Sequence, residues 1–464
     1  MAALPALYGW AMLDRPINLK KTIAAETLYL EPANVAARLL AEKNLTLLES
    51  VMRHEHLGRY SFLACNPSQT LRVESGVAYL DGDLQSAPAL DILRQSLNAC
   101  RSEMMTGLPP FQGGWAGYFS YEFGRSLEGD SKVPDFAPKC PDVILHRYDT
   151  VLGFDHLQQR AWIFGRDEVE IAQFEKLLKR KPQALGSSAV ENWQSNFSRD
   201  QYEKAVSQTV EYILAGDIFQ ANLTQCFSAE TPVGFDVFSL FRKLRDKNPS
   251  TFAAYLDYGD VHIASSSPER LIRSDGVMVE ARPIKGTRKR DADLSRDAEL
   301  IVELQASRKD RAENVMIVDL LRNDISRVAK PGSVKVPVLC GLESYANVHH
   351  LVSVVEGQLR EGLTQVDLLK AVFPGGSITG APKIRAMEII AELEGQSRGV
   401  YCGSIGYLGF NGACDFNIAI RTALFSKGKA YVQGGGGITA RSQPAAEYEE
   451  SLTKIARIME AFAP

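Results

Sequence analysis

Lys285 lies in the stretch Ala281-Arg282-Pro283-Ile284-Lys285-Gly286-Thr287-Arg288-Lys289-Arg290, where Pro and Gly argue against a solvated helical face and for a turn. A lysine attacks carbon only as the neutral amine, so a nucleophilic role needs burial or crowding by other cations. Arg282, Arg288, Lys289 and Arg290 are near enough in sequence to crowd it. The same run also reads as a basic surface loop, since exposed Lys/Arg clusters are common.

Two pairs of acids offer a second kind of chemistry. Asp310 and Glu313 are three residues apart on an expected helix, as are Glu447 and Glu450 on the last helix, whose first turn carries Pro444. Alone, each pair reads as a solvated face. Together they would repel unless a cation neutralised them, and an all-oxygen set without His or Cys favours Mg²⁺. Two glycine-rich stretches add anion-binding potential: Pro374 to Lys383, running into a helix expected near Ala381, and Gly434 to Gly437. Neither has Walker A spacing, and each alone reads as a tight turn at least as readily as a ligand cradle.

These groups need a large scaffold, and 464 residues with 45% hydrophobic and 23% charged content supply one of two or three units. A net charge of -4 argues against nucleic acid as the main partner. Seven cysteines without a C-x-x-C pair suit a reducing compartment. Met1 to Trp10 is apolar but lacks a basic n-region, and no apolar run is long enough to span a bilayer, so a cytoplasmic protein is expected.

The elements that must position the chemistry follow from local pattern. Short apolar runs at Thr46 to Ser50, Arg59 to Ala64, Trp115 to Tyr121 and Val151 to Phe154 predict a mainly antiparallel sheet, followed by a charged helix from Glu168 to Lys181. Residues 182–197 read as a linker between an N-terminal region, 1–181, and a catalytic region, 198–464. Ser198 with Gln201 forms a capping-box pattern before a helix that Gly216 stops. Strands are expected at Asn222 to Phe227, Val261 to Ala264 and Gly276 to Val279. Helices are expected at Asp297 to Ser307 and Ala312 to Leu321, and hairpins at Val400 to Phe410 and Phe416 to Phe425. This order predicts α+β layers.

Several ordered motifs then carry a family resemblance: Ser265-Ser266-Ser267-Pro268-Glu269-Arg270, Pro283 to Thr287, Val318 to Asp324, Gly376 to Lys383, Ile418 to Thr422 and Glu447 to Glu450. The run from Ser198 to Ala461 resembles the chorismate-utilising enzymes, and Leu47 to Ser50 with Gly113 to Tyr118 resembles the N-terminal half of that family. The resemblance implies large antiparallel sheets packed as a sandwich with helices outside. Pro-Ile-Lys-Gly-Thr resembles the aminodeoxychorismate-forming branch, where anthranilate and salicylate synthases carry Ala at the lysine position.

By that resemblance, Lys285 attacks C2 of chorismate as the C4 hydroxyl leaves, ammonia then displaces the lysine, and Glu269 is the acid or base for the hydroxyl. Gln220 stands where water-using members have a lysine base. Glu313 and Glu450 become direct Mg²⁺ ligands, with Asp310 and Glu447 supporting directly or through water, and Lys454 beside the ring carboxylate. Arg421 and Tyr401 match a clamp on the enolpyruvyl carboxylate, an Arg fork being suited to bidentate contact. Gly286, Thr379, Gly435 and Gly436 complete the cradle, and His350 lies beside the ring. Ser50 falls in a region that holds tryptophan in relatives. Arg441 departs from the family, which often has Asp there, and Arg322 reads as an ion-pair residue outside the site.

No cysteine sits in a G-x-C-x-G nucleophile turn, so a separate glutamine amidotransferase is the expected ammonia source. Three other readings remain at this stage: anthranilate synthase component I, a pyridoxal-phosphate enzyme with Lys285 as Schiff base, and a non-catalytic activator of a glutaminase.

Overall fold

The computed structural model describes residues 19–53, 57–128, 138, 140–345 and 348–463; Met1 to Trp10 lies outside them. Two antiparallel sheets of twelve strands each form the scaffold. In the first, Leu45–Glu49, Phe252–Asp257, Val261–Ser267, Thr422–Ser426, Lys429–Ile438 and Gln220–Glu230 are successive neighbours. In the second, Ile284–Lys289, Val348–Gln358, Met278–Ala281, Arg270–Ser274, Cys414–Asn417, Ser404–Gly409 and Gly114–Phe119 follow one another. Strands from both sides of residues 182–197 enter both sheets, so the two sequence regions are interleaved.

The sheets face each other across a core that joins Tyr118, Ile144 and Ile405 of one to Ala254, Leu256, Ile263 and Leu424 of the other. Alternation along each strand leaves a second apolar face, which must also be covered. Helices cover it. Ala89–Ala99, Arg308–Ser326 and Gln365–Val372 pack on the second sheet, and Val237–Lys247 and Pro444–Ala461 on the first. The expected sandwich with outer helices is therefore present.

Local chemistry explains most element ends. Ser198 accepts from Gln201 N and Gln201 reciprocates, starting helix Arg199–Ala215, and Gly216 stops it at φ 87 in the left-handed region. The strand expected to reach Tyr121 ends at Phe119, because Ser120 caps helix Tyr121–Leu127 by accepting from Phe123 N. The helix expected over Ala312 to Leu321 is longer, Arg308–Ser326, since Ser307 caps it through Asp310 N. Among the described residues no helix is long and apolar enough to cross a membrane, and all seven cysteines are free.

Candidate active site

The structure corrects the turn expected at Lys285. The residue lies in strand Ile284–Lys289, paired with Val348–Gln358, and the register shifts between Ile284 and Thr287. Gly286 sits at φ +86 within that irregularity, and a Cβ there would meet the Asp310 side chain at 2.9 Å and Leu304 at 3.1 Å. A glycine is needed on both counts. The amine of Lys285 donates to the Ser377 carbonyl at 3.3 Å.

Three of the four cations expected to crowd Lys285 are otherwise engaged. Arg282 pairs with Glu343, Arg288 with Glu303 and Asp310, and Arg290 with Asp297. Lys285 is nevertheless held below the ordinary lysine range, chiefly by burial. Glu313 and Glu269 oppose the shift and Lys454 adds to it. Desolvation, rather than the neighbouring basic run, makes this amine easier to deprotonate.

Glu269 occupies the junction between strands Val261–Ser267 and Arg270–Ser274 and is buried. Arg270 does not pair with it, because that guanidinium forks onto Asp415 at 2.9 Å through both nitrogens and reaches Glu280 at 2.9 Å. Burial raises the Glu269 carboxyl above the usual range, against the pull of Lys285, Ser377 and Arg421. Arg421 sits at φ 52 directly before strand Thr422–Ser426. His350 Nδ1 meets Thr287 Oγ1 at 2.8 Å. Burial and the charge of Arg421 push the imidazole down to about 4, so it is neutral near pH 7.

The second glycine stretch is a strand rather than the expected loop: Gly434 to Gly437 lie within Lys429–Ile438, laddered to Gln220–Glu230. The glycines make room. A Cβ on Gly435 would fall 2.0 Å from the Leu223 carbonyl, and one on Gly437 would fall 2.4 Å from Gln220 Nε2. A Cβ on Gly436 would crowd Glu447 at 3.1 Å, Glu450 at 3.3 Å and Lys454 at 3.4 Å. Bare backbone thus lets the last helix, Pro444–Ala461, bring its acids to the sheet.

Helix Arg308–Ser326 brings Asp310 and Glu313 to the same place. Glu313 Oε1 is buried without a hydrogen-bond partner, and burial raises its carboxyl, with Asp310 and Glu450 adding to the effect. Burial also raises Glu447, which accepts from Ser442 Oγ at 2.6 Å. For Glu450, burial is outweighed by Lys454 at 2.7 Å, which leaves that carboxyl lowered. Lys454 also donates to the Gly435 carbonyl at 2.9 Å. Among the described residues no three His, Cys, Asp or Glu are gathered closely enough to enclose an ion. The donor set, all oxygen, with one buried atom that has no hydrogen bond and only the Lys309 amine at 3.9 Å, suits a hard divalent cation.

Lys285, Glu269, Gly286, His350, Tyr401, Arg421, Gly435, Asp310, Glu313, Glu450 and Lys454 line one cavity of about 390 Å³. Five other expected residues stand outside that wall. Thr379 is fully buried and spends its hydroxyl on the Gly375 carbonyl at 2.9 Å. Gly436 and Glu447 adjoin Glu450, and Gln220 adjoins Gly437 with both amide atoms buried and without hydrogen-bond partners. Ser50 belongs to a separate cavity of about 230 Å³, where its hydroxyl contacts the Tyr60 and Thr251 carbonyls at 2.8 and 2.9 Å. Arg322 pairs with Asp319 in the open, and Arg441 is exposed. Arg288, expected near Lys285, and Ser377, inside the first glycine-rich motif, also line the Lys285 cavity, as do Asn222, Gln433 and Lys309, which no motif singles out. Of the last three, only Lys309, adjacent to Asp310, carried a local signal.

A pocket with one depressed lysine, carboxyls raised by burial, a buried guanidinium and a set of oxygen donors defines a class: enzymes that act on a small polyanion. The chain belongs to the chorismate binding enzyme family, whose model matches residues 47–460. It is 42% identical over 464 residues to anthranilate synthase component 1 of Thermus thermophilus, covering 97% of this chain and 98% of that one. It is 45% identical over 350 residues to aminodeoxychorismate synthase component 1 of Escherichia coli, covering 75% and 77%. The solved structure of anthranilate synthase component I from Streptococcus pneumoniae superposes with a TM-score of 0.78 at 33% identity, covering 86% of this chain and 92% of that one. Relatives under two reaction names therefore lie at similar distance.

Proposed function

We propose that the chain converts chorismate and ammonia to 4-amino-4-deoxychorismate, the precursor of para-aminobenzoate and folate. The observation that carries this reading is the buried Lys285 amine, depressed by desolvation and lining the same cavity as the raised carboxyl of Glu269. In the first step neutral Lys285 forms a bond to C2, both ring double bonds shift by one position, and the C4–O bond breaks as Glu269 gives its proton to the departing hydroxyl, releasing water. In the second, ammonia forms a bond to C4, both double bonds shift back, and the C2–N bond breaks to return the lysine amine. Two displacements give retention.

Arg421 and Tyr401 hold the enolpyruvyl carboxylate, and the backbone of Gly435, with Gly436 and Thr379 behind it, shapes the cradle. Neutral His350 lies beside the ring. Gln220 brings an amide rather than a base to the rear of the pocket, which disfavours activation of water. Glu313 and Glu450 would hold Mg²⁺, with Asp310 and Glu447 in support; the ion supplies charge neutralisation for the ring carboxylate beside Lys454. The relatives named component 1 support a second component, and a glutamine amidotransferase is the expected supplier of ammonia. The Ser50 cavity takes tryptophan on this reading.

Anthranilate synthase component I is the second reading, supported by the relatives that carry that name. Product chromatography decides. The chain with Mg²⁺, chorismate and concentrated ammonium salt is expected to form 4-amino-4-deoxychorismate, and anthranilate as the main product would overturn the proposal.

A further inference from the structure

Behind the pocket, outside every residue assigned above, lies a buried guanidinium. Arg398 is 1% exposed. Its Nε and Nη2 donate to the two oxygens of Glu394 at 2.9 and 2.6 Å. Nη1 donates to the Ile378 carbonyl at 2.9 Å, and Nη2 also reaches the Asn222 carbonyl at 2.5 Å. The ring of Tyr121 lies 4.6 Å from the guanidinium carbon. Glu394 is fixed in turn by Thr224, whose N and Oγ1 donate to it at 2.8 and 2.9 Å. The backbone of Arg398 is held too: its N donates to Glu122 at 2.7 Å, and its carbonyl accepts from Gln433 Nε2 at 2.7 Å.

An ion pair alone would not need this arrangement. Burying a guanidinium is costly, and an apolar side chain of similar volume fills such a site at less cost. What the fork adds is placement. Asn222, Ile378 and Gln433 all line the Lys285 cavity, whereas Arg398 itself does not. The Ile378 carbonyl that it grips is one residue from the Ser377 carbonyl, which receives the Lys285 amine at 3.3 Å. We propose that Arg398 is a positioning residue for the reaction: it fixes the Ile378 and Asn222 carbonyls and, through the adjoining Ser377 carbonyl, the place of the Lys285 nitrogen. The inference rests on the functional reading above.

Arg398→Lys keeps a charge against Glu394 but loses the fork that spans both carbonyls. Thr224→Val removes only the hydroxyl that steadies Glu394. Both variants of the full chain are assayed with Mg²⁺, chorismate and ammonium chloride, with thermal unfolding recorded alongside. In Arg398→Lys, kcat is expected to fall about hundredfold while the chorismate KM stays within about threefold, because Arg421 and Lys454 still face the ligand and only alignment is lost. In Thr224→Val, kcat is expected to fall by about three- to tenfold at unchanged KM.

Wild-type kcat in folded Arg398→Lys, or a loss confined to KM, overturns the role. Should Arg398→Lys fail to fold, Thr224→Val decides alone: the expected loss of kcat supports the role and wild-type kcat overturns it. If the wild-type chain does not turn over chorismate, the functional reading and this inference fall together. Turnover that the variants share equally removes the role of Arg398 only.

Discussion

Around Ser50, Glu49 is held by Arg245 at 3.0 Å, Arg59 by Asp155 at 2.7 Å, and Arg270 by Asp415 and Glu280. Around Lys285, by contrast, the charges of Glu269, Lys285 and Arg421 act on one another through space rather than in close ion pairs among the described residues. Glu313 also keeps a buried oxygen without a hydrogen-bond partner, 3.9 Å from the Lys309 amine. Both cavities belong to one scaffold, so the difference is not one of fold. Buried charges that are already paired are stable and inert. Buried charges left incompletely paired cost stability and remain available to a charged ligand.

The comparison breaks first on catalysis. Glu269→Gln, which cannot give a proton, is expected to lower kcat about 10²- to 10⁴-fold, measured by chorismate consumption. Arg421→Lys keeps the charge but loses the bidentate contact, and is expected to raise the chorismate KM by about 10- to 100-fold. Beside the Ser50 cavity, Asp155→Asn takes the charge from the carboxylate that holds the lining residue Arg59. A loss of about 2 kcal/mol in denaturant unfolding is expected, with kcat of the folded enzyme unchanged.

The smallest effect has the opposite sign. Folding raises the Glu269 carboxyl, so its contribution to stability is fully present below the unfolded carboxylate pKa and is lost as pH rises through the folded value. Glu269→Gln is therefore expected to match wild type near pH 4 and to gain on the order of 1 kcal/mol at pH 8. Lys285 has the complementary sign for rate. Because its amine is depressed and must be neutral to attack, the rate is expected to rise with pH through a value below that of an ordinary lysine. A limb at the ordinary lysine pKa would contradict the desolvation argument.

Much of this was legible in the sequence because it rests on local pattern. The Ser198 and Gln201 capping box, the Gly216 stop and most strand segments require only neighbouring residues. The acid pairs of helices Arg308–Ser326 and Pro444–Ala461 follow from helical spacing. What local pattern could not give was pairing across the chain. Arg282, Arg288 and Arg290 read as available beside Lys285, whereas the fold assigns them to Glu343, Glu303, Asp310 and Asp297. Glycines 434 to 437 looked like a loop because their purpose, clearing space for Gln220, Glu447 and Glu450, exists only once the strand and last helix meet. Arg398 carried no signal at all, since its partners at 222, 378 and 394 converge only in three dimensions.

The central claim is that Lys285 bonds to the substrate, and intact-protein mass spectrometry after incubation with chorismate and Mg²⁺, without ammonia, tests it directly. Wild type is expected to gain the mass of chorismate less water, localised to the peptide bearing Lys285, and Lys285→Ala to gain nothing and to lose at least about 10³-fold in ammonia-dependent kcat. No lysine-dependent adduct on wild type, together with a full ammonia-dependent rate in Lys285→Ala, would contradict the account.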